Sequence, residues 1–349
     1  RKANKPVKIV MSRSEVFRST GPTSSTSMDV KIGMKKDGTI TAASGVFRLQ
    51  GGAFPGAPAE FTAMCAFAPY ALENVRQIGY DVMANRPKQA AYRAPGSPMA
   101  AFAVESVIDD LCKALGLDPI EVRLKNASHK GTKASFGPRF DDIGLVETLE
   151  AAKAHDHYST PLKDGQGRGI SCCFWFNHGG ETAVSLALSE DGTAQISVGT
   201  PDIGGSRASM ALMAAEELGI PYEHIRCTIA DTATLGYNEI SHGSRVTYAS
   251  GLATIKAAKD VVHKLCKRAA QKWDIPEDAV KWEDGCAVPS GANAGDFDPL
   301  PLHKITANMG ATGGPIVGHF EATPEGAGVS FATHIVDAEV DHATGKTKI

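Results

Sequence analysis

The chain alternates apolar and polar positions over several long stretches. Residues 27–49, SMDVKIGMKKDGTITAASGVFRL, alternate on both sides of KKDGT, the signature of a β-hairpin. Strands are also predicted for PVKIVMS (6–12), NVRQIGYDVMA (74–84), RGISCCFWF (168–176), HIRCTIAD (224–231), GGPIVGHFEA (313–322) and VSFATHIVDAEVD (329–341). A second hairpin is predicted for TAVSLALSEDGTAQISVG (182–199). Between them the period changes to three and four. Phe102, Val104, Val107, Ile108, Leu111 and Leu115 recur on one helical face, with Asp109, Asp110 and Lys113 opposite. Ser97 is the expected N-cap, Pro98 the first helical residue and Gly116 the stop. A short helix is expected from Asp118, and longer ones over 206–220 and 250–273.

Strands and helices are interspersed without a strict βαβ rhythm. That predicts an α+β fold with mixed sheets and packed helices. The polar stretch HDHYSTPLKDGQGRG (155–169) is the expected division, giving parts 1–160 and 161–349. The length of 349 residues suits two domains.

Composition narrows the function classes. Lysine and arginine number 36 against 39 acids, a net charge of −3, so no basic field points to nucleic acid. No apolar run reaches membrane-spanning length. Seven cysteines lack any C-x-x-C pair and read as buried, reduced thiols of a cytoplasmic protein. His155-x-His157 lies in a polar linker without suitable acidic neighbours, so no metal held directly by side chains is expected.

Candidate chemistry lies in two turns. GTPDIGGSRAS (199–209) precedes one helical pattern, and SHGSRVTYASG (241–251) precedes another. A helix N-terminus offers unpaired N–H groups and partial positive charge, and glycine lets an anion come close. Each turn adds a Ser and an Arg, a set suited to phosphate or pyrophosphate. The competing reading is two ordinary turns with solvent-facing arginines. Neither turn follows a dinucleotide or Walker pattern. Arg93, before a Pro-Gly turn, and the aromatic run Phe174-Trp175-Phe176 complete the candidates; such aromatics are most often core or cross-strand packing, and the sharper alternative is a slot for a planar substrate.

AYRAPGSPMAAFAVESVIDDLCKALGLDPIEVRLKNA, DGTAQISVGTPDIGGSRASMALMAAEELGI and DTATLGYNEISHGSRVTYASG resemble, in this order, segments of the molybdopterin-binding large subunit of the xanthine dehydrogenase/aldehyde oxidase family. The resemblance runs over essentially the whole chain. It implies that the two turns hold molybdopterin, commonly the cytosine dinucleotide form in bacteria. Arg93 falls beside the molybdenum, and Gly243 approaches the metal through its backbone. Gly204, Gly205, Ser206 and Arg207 fall on the pterin-contacting turn, Ser244 and Arg245 on the second, and Phe174 on an aromatic that stacks on substrate. Gly205 replaces the family's usual Gln, Pro95 replaces an aromatic clamp, and no arginine near Phe61 matches the one that grips purine. The expected activity is hydroxylation of an N-heterocycle or oxidation of an aldehyde with water as oxygen source. Partner subunits would carry [2Fe–2S] clusters and FAD. The general-base Glu is expected beyond Ile349 and a Gly-Gly-Phe-Gly loop before Arg1, so the chain reads as a middle fragment, inactive and without bound cofactor when isolated. The alternative is a non-catalytic scaffold or assembly protein that keeps the fold without molybdenum.

Overall fold

The computed structural model describes residues 2–229, 231, 233, 236–324 and 328–349. In chain order the elements are α1 (Arg13–Ser19), β1 (Thr26–Met34), β2 (Ile40–Gly52), α2 (Ala59–Ala66), β3 (Val75–Met83), α3 (Ser97–Leu115), α4 (Pro119–Asn126), α5 (Leu145–Ala154), α6 (Asp156–Ser159) and β4 (Gln166–Asn177). They continue with β5 (Thr182–Leu188), β6 (Ala194–Val198), α7 (Ser206–Leu218), β7 (Ile225–Ile229), α8 (Gly251–Trp273), β8 (Val280–Glu283), β9 (Cys286–Pro289) and β10 (Leu300–Pro301). The last are α9 (Leu302–Thr306), β11 (Val317–Ala322), β12 (Gly328–Val340) and β13 (Thr347–Lys348). The mixed-sheet α+β class expected from the pattern is the one observed. Among the described residues no helix is long and apolar enough to cross a membrane.

The chain forms two compact units. One comprises Arg1–Trp175 with Val329–Ile349, the other Phe176–Gly328. In the first, β1 and β2 form the expected antiparallel hairpin, and β3 adds to β2 in parallel. A second sheet has the order β13-β12-β4. Gly116 ends α3 with φ +66, as expected; the short helix expected from Asp118 begins at Pro119, and Asp118 caps it by accepting from the Ile120 and Glu121 N–H groups.

Four expectations need correction, each for a physical reason. Residues 6–11 form no strand; Ser12 instead opens α1 through a reciprocal capping box with Glu15. Ser97 is the first helical residue of α3, not its cap; Gly96 holds the cap at φ +87, and the Ser97 hydroxyl donates to the Phe174 carbonyl at 2.8 Å. Phe102 is 73% exposed, because the buried stripe of α3 runs through Ala100, Val104, Ile108 and Cys112, each four residues apart. Helix α5 and the small sheet β10-β9-β8 were not expected, and their short elements carry little periodicity.

Glu105 shares the buried face of α3 and anchors a polar network. Its carboxylate meets Arg123 Nε at 2.9 Å, Tyr70 Oη at 2.6 Å and the Cys172 N–H at 2.8 Å. Burial pushes the Glu105 carboxyl up, against the pull of Arg123. Arg123 also reaches Asp109 at 2.8 Å and the Ile170 carbonyl at 2.8 Å. Helices α3 and α4 are thereby tied to β4.

The second unit is built on a four-stranded sheet, β11-β5-β6-β7. Neighbours are antiparallel except β6 and β7, which are parallel. β5 and β6 alternate buried and half-buried positions along their whole length. Their inner residues Val184, Leu186, Ile196 and Val198 pack with Met210 and Leu218 of α7 and Val261 and Leu265 of α8. Removing these side chains from water is the main stabilising term, about 1.5–3 kcal/mol for each. The parallel step from β6 to β7 crosses over through α7, which places the N-terminus of α7 at the carboxyl end of β6. Ala230, at the end of the strand expected over 224–231, lies outside the described residues.

Candidate functional site

The first turn follows β6. Gly204 and Gly205 have φ +60 and +96, and Gly205 is the N-cap residue of α7 with no side-chain cap. A Cβ at either glycine would meet no atom within 4 Å, so this turn is open. The backbone at Gly205 lies in the left-handed region, which accounts for glycine where the resemblance expects Gln. Ser206 is buried, and its hydroxyl turns inward: it donates to the Pro201 carbonyl at 3.1 Å and accepts from the Ile203 N–H at 3.2 Å. Arg207 is exposed, 3.5 Å from Asp202. The Asp202 carboxylate accepts from the Arg207 N–H at 3.2 Å, which holds its carboxyl below the usual range.

The second turn is packed. Gly243 and Ser244 have φ +53 and +59. A Cβ on Gly243 would lie 2.8 Å from the His178 Cβ, and the Gly243 carbonyl accepts from the His178 N–H at 2.8 Å. Ser244 faces solvent. Arg245 is fully buried. Its guanidinium donates to four carbonyls: Gly179 at 2.7 Å, Gly180 at 3.1 Å, Glu181 at 2.7 Å and Glu239 at 3.0 Å. Arg245 therefore cannot grip a phosphate as the sequence reading expected; it braces the 179–181 loop against the segment before its own turn. A short π-helix, Val246–Ser250, then leads into α8.

The two turns share a wall. A Cβ on Gly199, at the head of the first turn, would lie 2.6 Å from the Gly236 carbonyl and 2.7 Å from Asn238 Nδ2. Asn238 accepts from Thr182 Oγ1 at 2.6 Å and donates to the Ala183 carbonyl at 3.2 Å. The 236–239 segment so runs from the first turn to the second.

Arg93 and Phe174 belong to the other unit. Arg93 is exposed and has no hydrogen bond or ion pair with a described residue. Ala94 next to it has φ +54, and a Cβ on Gly96 would lie 2.2 Å from Thr62 Oγ1. Phe174 is 1% exposed. Its ring lies 5.5 Å from that of Phe136, 6.1 Å from Phe140 and 5.3 Å from Phe331. It is a core residue, and the substrate-stacking role expected from the resemblance has no open ring face to use. Of the histidines in the linker, His155 Nδ1 accepts from the His157 N–H at 3.1 Å and His157 pairs with Asp337 at 3.0 Å.

Sequence reasoning missed one group. His178, Glu239 and His242 each direct a ligand-type atom into one cluster, all such atoms lying within 4.8 Å of one another. They are 61 and 3 residues apart in sequence, a spacing with no motif.

Comparison with known proteins bears on the family of the chain. One pattern for a molybdopterin cofactor-binding domain matches residues 1–127, and a second such pattern matches 145–349. The chain is 29% identical over 292 residues to the xanthine dehydrogenase molybdenum-binding subunit of Escherichia coli O157:H7, an alignment covering 76% of this chain and 38% of that protein. It is 26% identical over 360 residues to the aldehyde oxidoreductase molybdenum-binding subunit of the same organism, covering 100% of this chain and 47% of the relative. The chain thus spans less than half the length of these relatives. Its fold matches quinoline 2-oxidoreductase from Pseudomonas putida 86 with a TM-score of 0.79 at 18% identity, over 97% of this chain and 48% of that one. The chain, with its two Gly-Ser-Arg turns at the heads of packed helices, belongs to the molybdopterin cofactor-binding family of xanthine dehydrogenase and aldehyde oxidoreductase molybdenum-binding subunits.

Proposed function

We propose that this chain forms a cofactor-cradling part of the molybdenum-binding subunit of a molybdenum hydroxylase. The observation that carries the reading is the head of α7. Two successive left-handed glycines leave open space there, the helix has no side-chain cap, and its N-terminal N–H groups suit the phosphate of a molybdopterin. When bound, the group supplies two-electron oxidation of a carbon centre with oxygen drawn from water. The chain's residues bind and orient it. Gly204 and Gly205 admit it to the α7 backbone, and the exposed Arg207 adds positive charge beside it. Asp202, which already takes one N–H of that helix, sets a limit on how many donors remain. Gly243 and Ser244 bring backbone close at the second turn, and Arg245 keeps that turn rigid. Arg93, exposed in the other unit, we assign to the cofactor on the resemblance alone.

The substrate class is an N-heterocycle or an aldehyde, which the names of the relatives support. We further assign the cytosine dinucleotide form of the cofactor, partner subunits carrying [2Fe–2S] and FAD, and a cytoplasmic location.

The test is cofactor content of the complete subunit, expressed in a host that makes molybdopterin. About one molybdenum by elemental analysis and one pterin by fluorescence after oxidation are expected per subunit. Gly205→Ala, which places a Cβ in the open turn at a backbone cost of about 1–2 kcal/mol, should lower both in protein that a melting curve shows to be folded. A folded complete subunit lacking both pterin and molybdenum overturns the proposal.

A further inference from the structure

The His178, Glu239 and His242 cluster is assembled from two separate loops, and each approach is made possible by a missing side chain. His178 follows β4 directly. It can lie against the second turn because Gly243 has no Cβ; one there would be 2.8 Å from the His178 Cβ. Glu239 can reach over the 179–181 loop because Gly180 has none; one there would overlap the Glu239 Oε2. The Glu239 N–H donates to the Glu181 carbonyl at 3.0 Å. Arg245, buried beneath, binds the carbonyls of Gly179, Gly180, Glu181 and Glu239 at once, and its Nε lies 3.9 Å from the Glu239 carboxylate. One buried cation therefore fixes both loops that carry the three side chains.

The side chains converge in the open. Glu239 Oε1 is 2.8 Å from His242 Nε2, and the rings of His178 and His242 are 4.7 Å apart at 42°. His242 and Glu239 are 39% and 24% exposed at the side chain, and His178 faces solvent. Two imidazoles and one carboxylate form a three-ligand zinc set that leaves a fourth position for solvent or a small ligand. In a tetrahedral shell with bonds of about 2.0–2.1 Å, ligand atoms sit about 3.3 Å apart. The observed ligand atoms all lie within 4.8 Å of one another, with Glu239 Oε1 and His242 Nε2 at 2.8 Å. Two nitrogen ligands disfavour calcium and magnesium, which take oxygen, and favour zinc, copper or nickel.

We propose that His178, Glu239 and His242 bind a divalent transition ion of the zinc type, held entirely by this chain's own side chains with one coordination position open. The site borders the second turn, whose Gly243 and Ser244 the molybdopterin reading also uses, but its three ligand side chains are ones that reading does not use, and it takes none of the residues at the head of α7.

The experiment uses the full chain, stripped with a chelator and titrated with Zn²⁺ against a chromophoric competitor. The expected result is one Zn²⁺ per chain. His178→Ala, His242→Ala and Glu239→Gln should each weaken binding about ten-fold or more, while His157→Ala leaves it unchanged. Co²⁺ in place of Zn²⁺ should give the intense visible bands of a four- or five-coordinate site, lost in Glu239→Gln. Melting curves without metal establish that each variant is folded; if His178→Ala is not, His242→Asn and Glu239→Gln decide. Equal Zn²⁺ retention by the wild type and the triple variant, or only weak octahedral Co²⁺ bands in all of them, overturns the proposal. Pterin content does not enter the measurement, so failure here is separate from failure of the cofactor reading.

Discussion

The two turns of the second unit carry the same three letters, Gly-Ser-Arg, and use them in opposite ways. At 205–207 the serine is buried and the arginine exposed; at 243–245 the serine is exposed and the arginine buried. The first turn is open above its glycines, and the second is closed around them. The cause lies in what packs behind each turn. Behind Gly205 the chain supplies only its own loop, 201–203, and one serine hydroxyl satisfies it. Behind Gly243 come the 179–181 loop and the backbone of Glu239, whose four inward carbonyls call for a donor with several N–H groups at fixed angles. Guanidinium is the side chain that meets that demand. One turn leaves space above its backbone, and the other is braced by its own arginine.

The contrast can be broken at its strongest point first. Arg245→Ala should destabilise the second unit by about 3–5 kcal/mol, because it leaves several buried carbonyls without donors. Chemical denaturation followed by tryptophan fluorescence reads this; a loss under about 1 kcal/mol would mean that water replaces the guanidinium and the brace is dispensable. The glycines come next. Gly243→Ala meets both an unfavourable φ and the His178 Cβ, so about 3 kcal/mol is expected, whereas Gly205→Ala meets the φ alone, about 1–2 kcal/mol. Equal losses at the two sites would erase the distinction between open and closed turns.

Acid gives a smaller effect. The Asp202 carboxyl is depressed by the Arg207 N–H, so its contribution is complete above the ordinary carboxylate value near 3.8 and is lost as pH falls through the lower folded value. Amide exchange at the head of α7 should therefore rise below about pH 4 in the wild type and show no such step in Asp202→Asn. A step at higher pH in both would place the titrating group elsewhere. Arg207→Ala should be the mildest change, within about 0.5 kcal/mol in stability, yet it should reduce pterin retention in the complete subunit. Loss of fold on that substitution would put Arg207 in the same structural class as Arg245.

Much of the local structure was legible because it depends on neighbours in sequence. The hairpin at KKDGT, the stop at Gly116 and the short helix after it each need only a few adjacent residues. The head of α7 was legible for the same reason. What was not legible depends on residues far apart. Glu105 sits within an apolar stripe only because Arg123, Tyr70 and the Cys172 N–H meet it there. Phe174 looked available beside Trp175 and Phe176, but Phe136, Phe140 and Phe331 close over it. His178 and Glu239 are neighbours only through Gly180, Gly243 and Arg245, three residues whose roles no local pattern displays.

The order of β13-β12-β4 has a consequence for synthesis. β4 ends the first long run of one unit, yet its partner β12 emerges only after the whole of the other unit, about 150 residues later. At about 5–20 residues per second a ribosome needs roughly 8–30 seconds to deliver it. During that interval Ile170, Cys172 and Phe174 lie on a strand without its β12 partner, and the second unit itself receives its last sheet strand, β11, only just before β12 emerges. Both units therefore complete their sheets almost together, and until then β4 carries an apolar edge that nascent-chain chaperones are suited to shield.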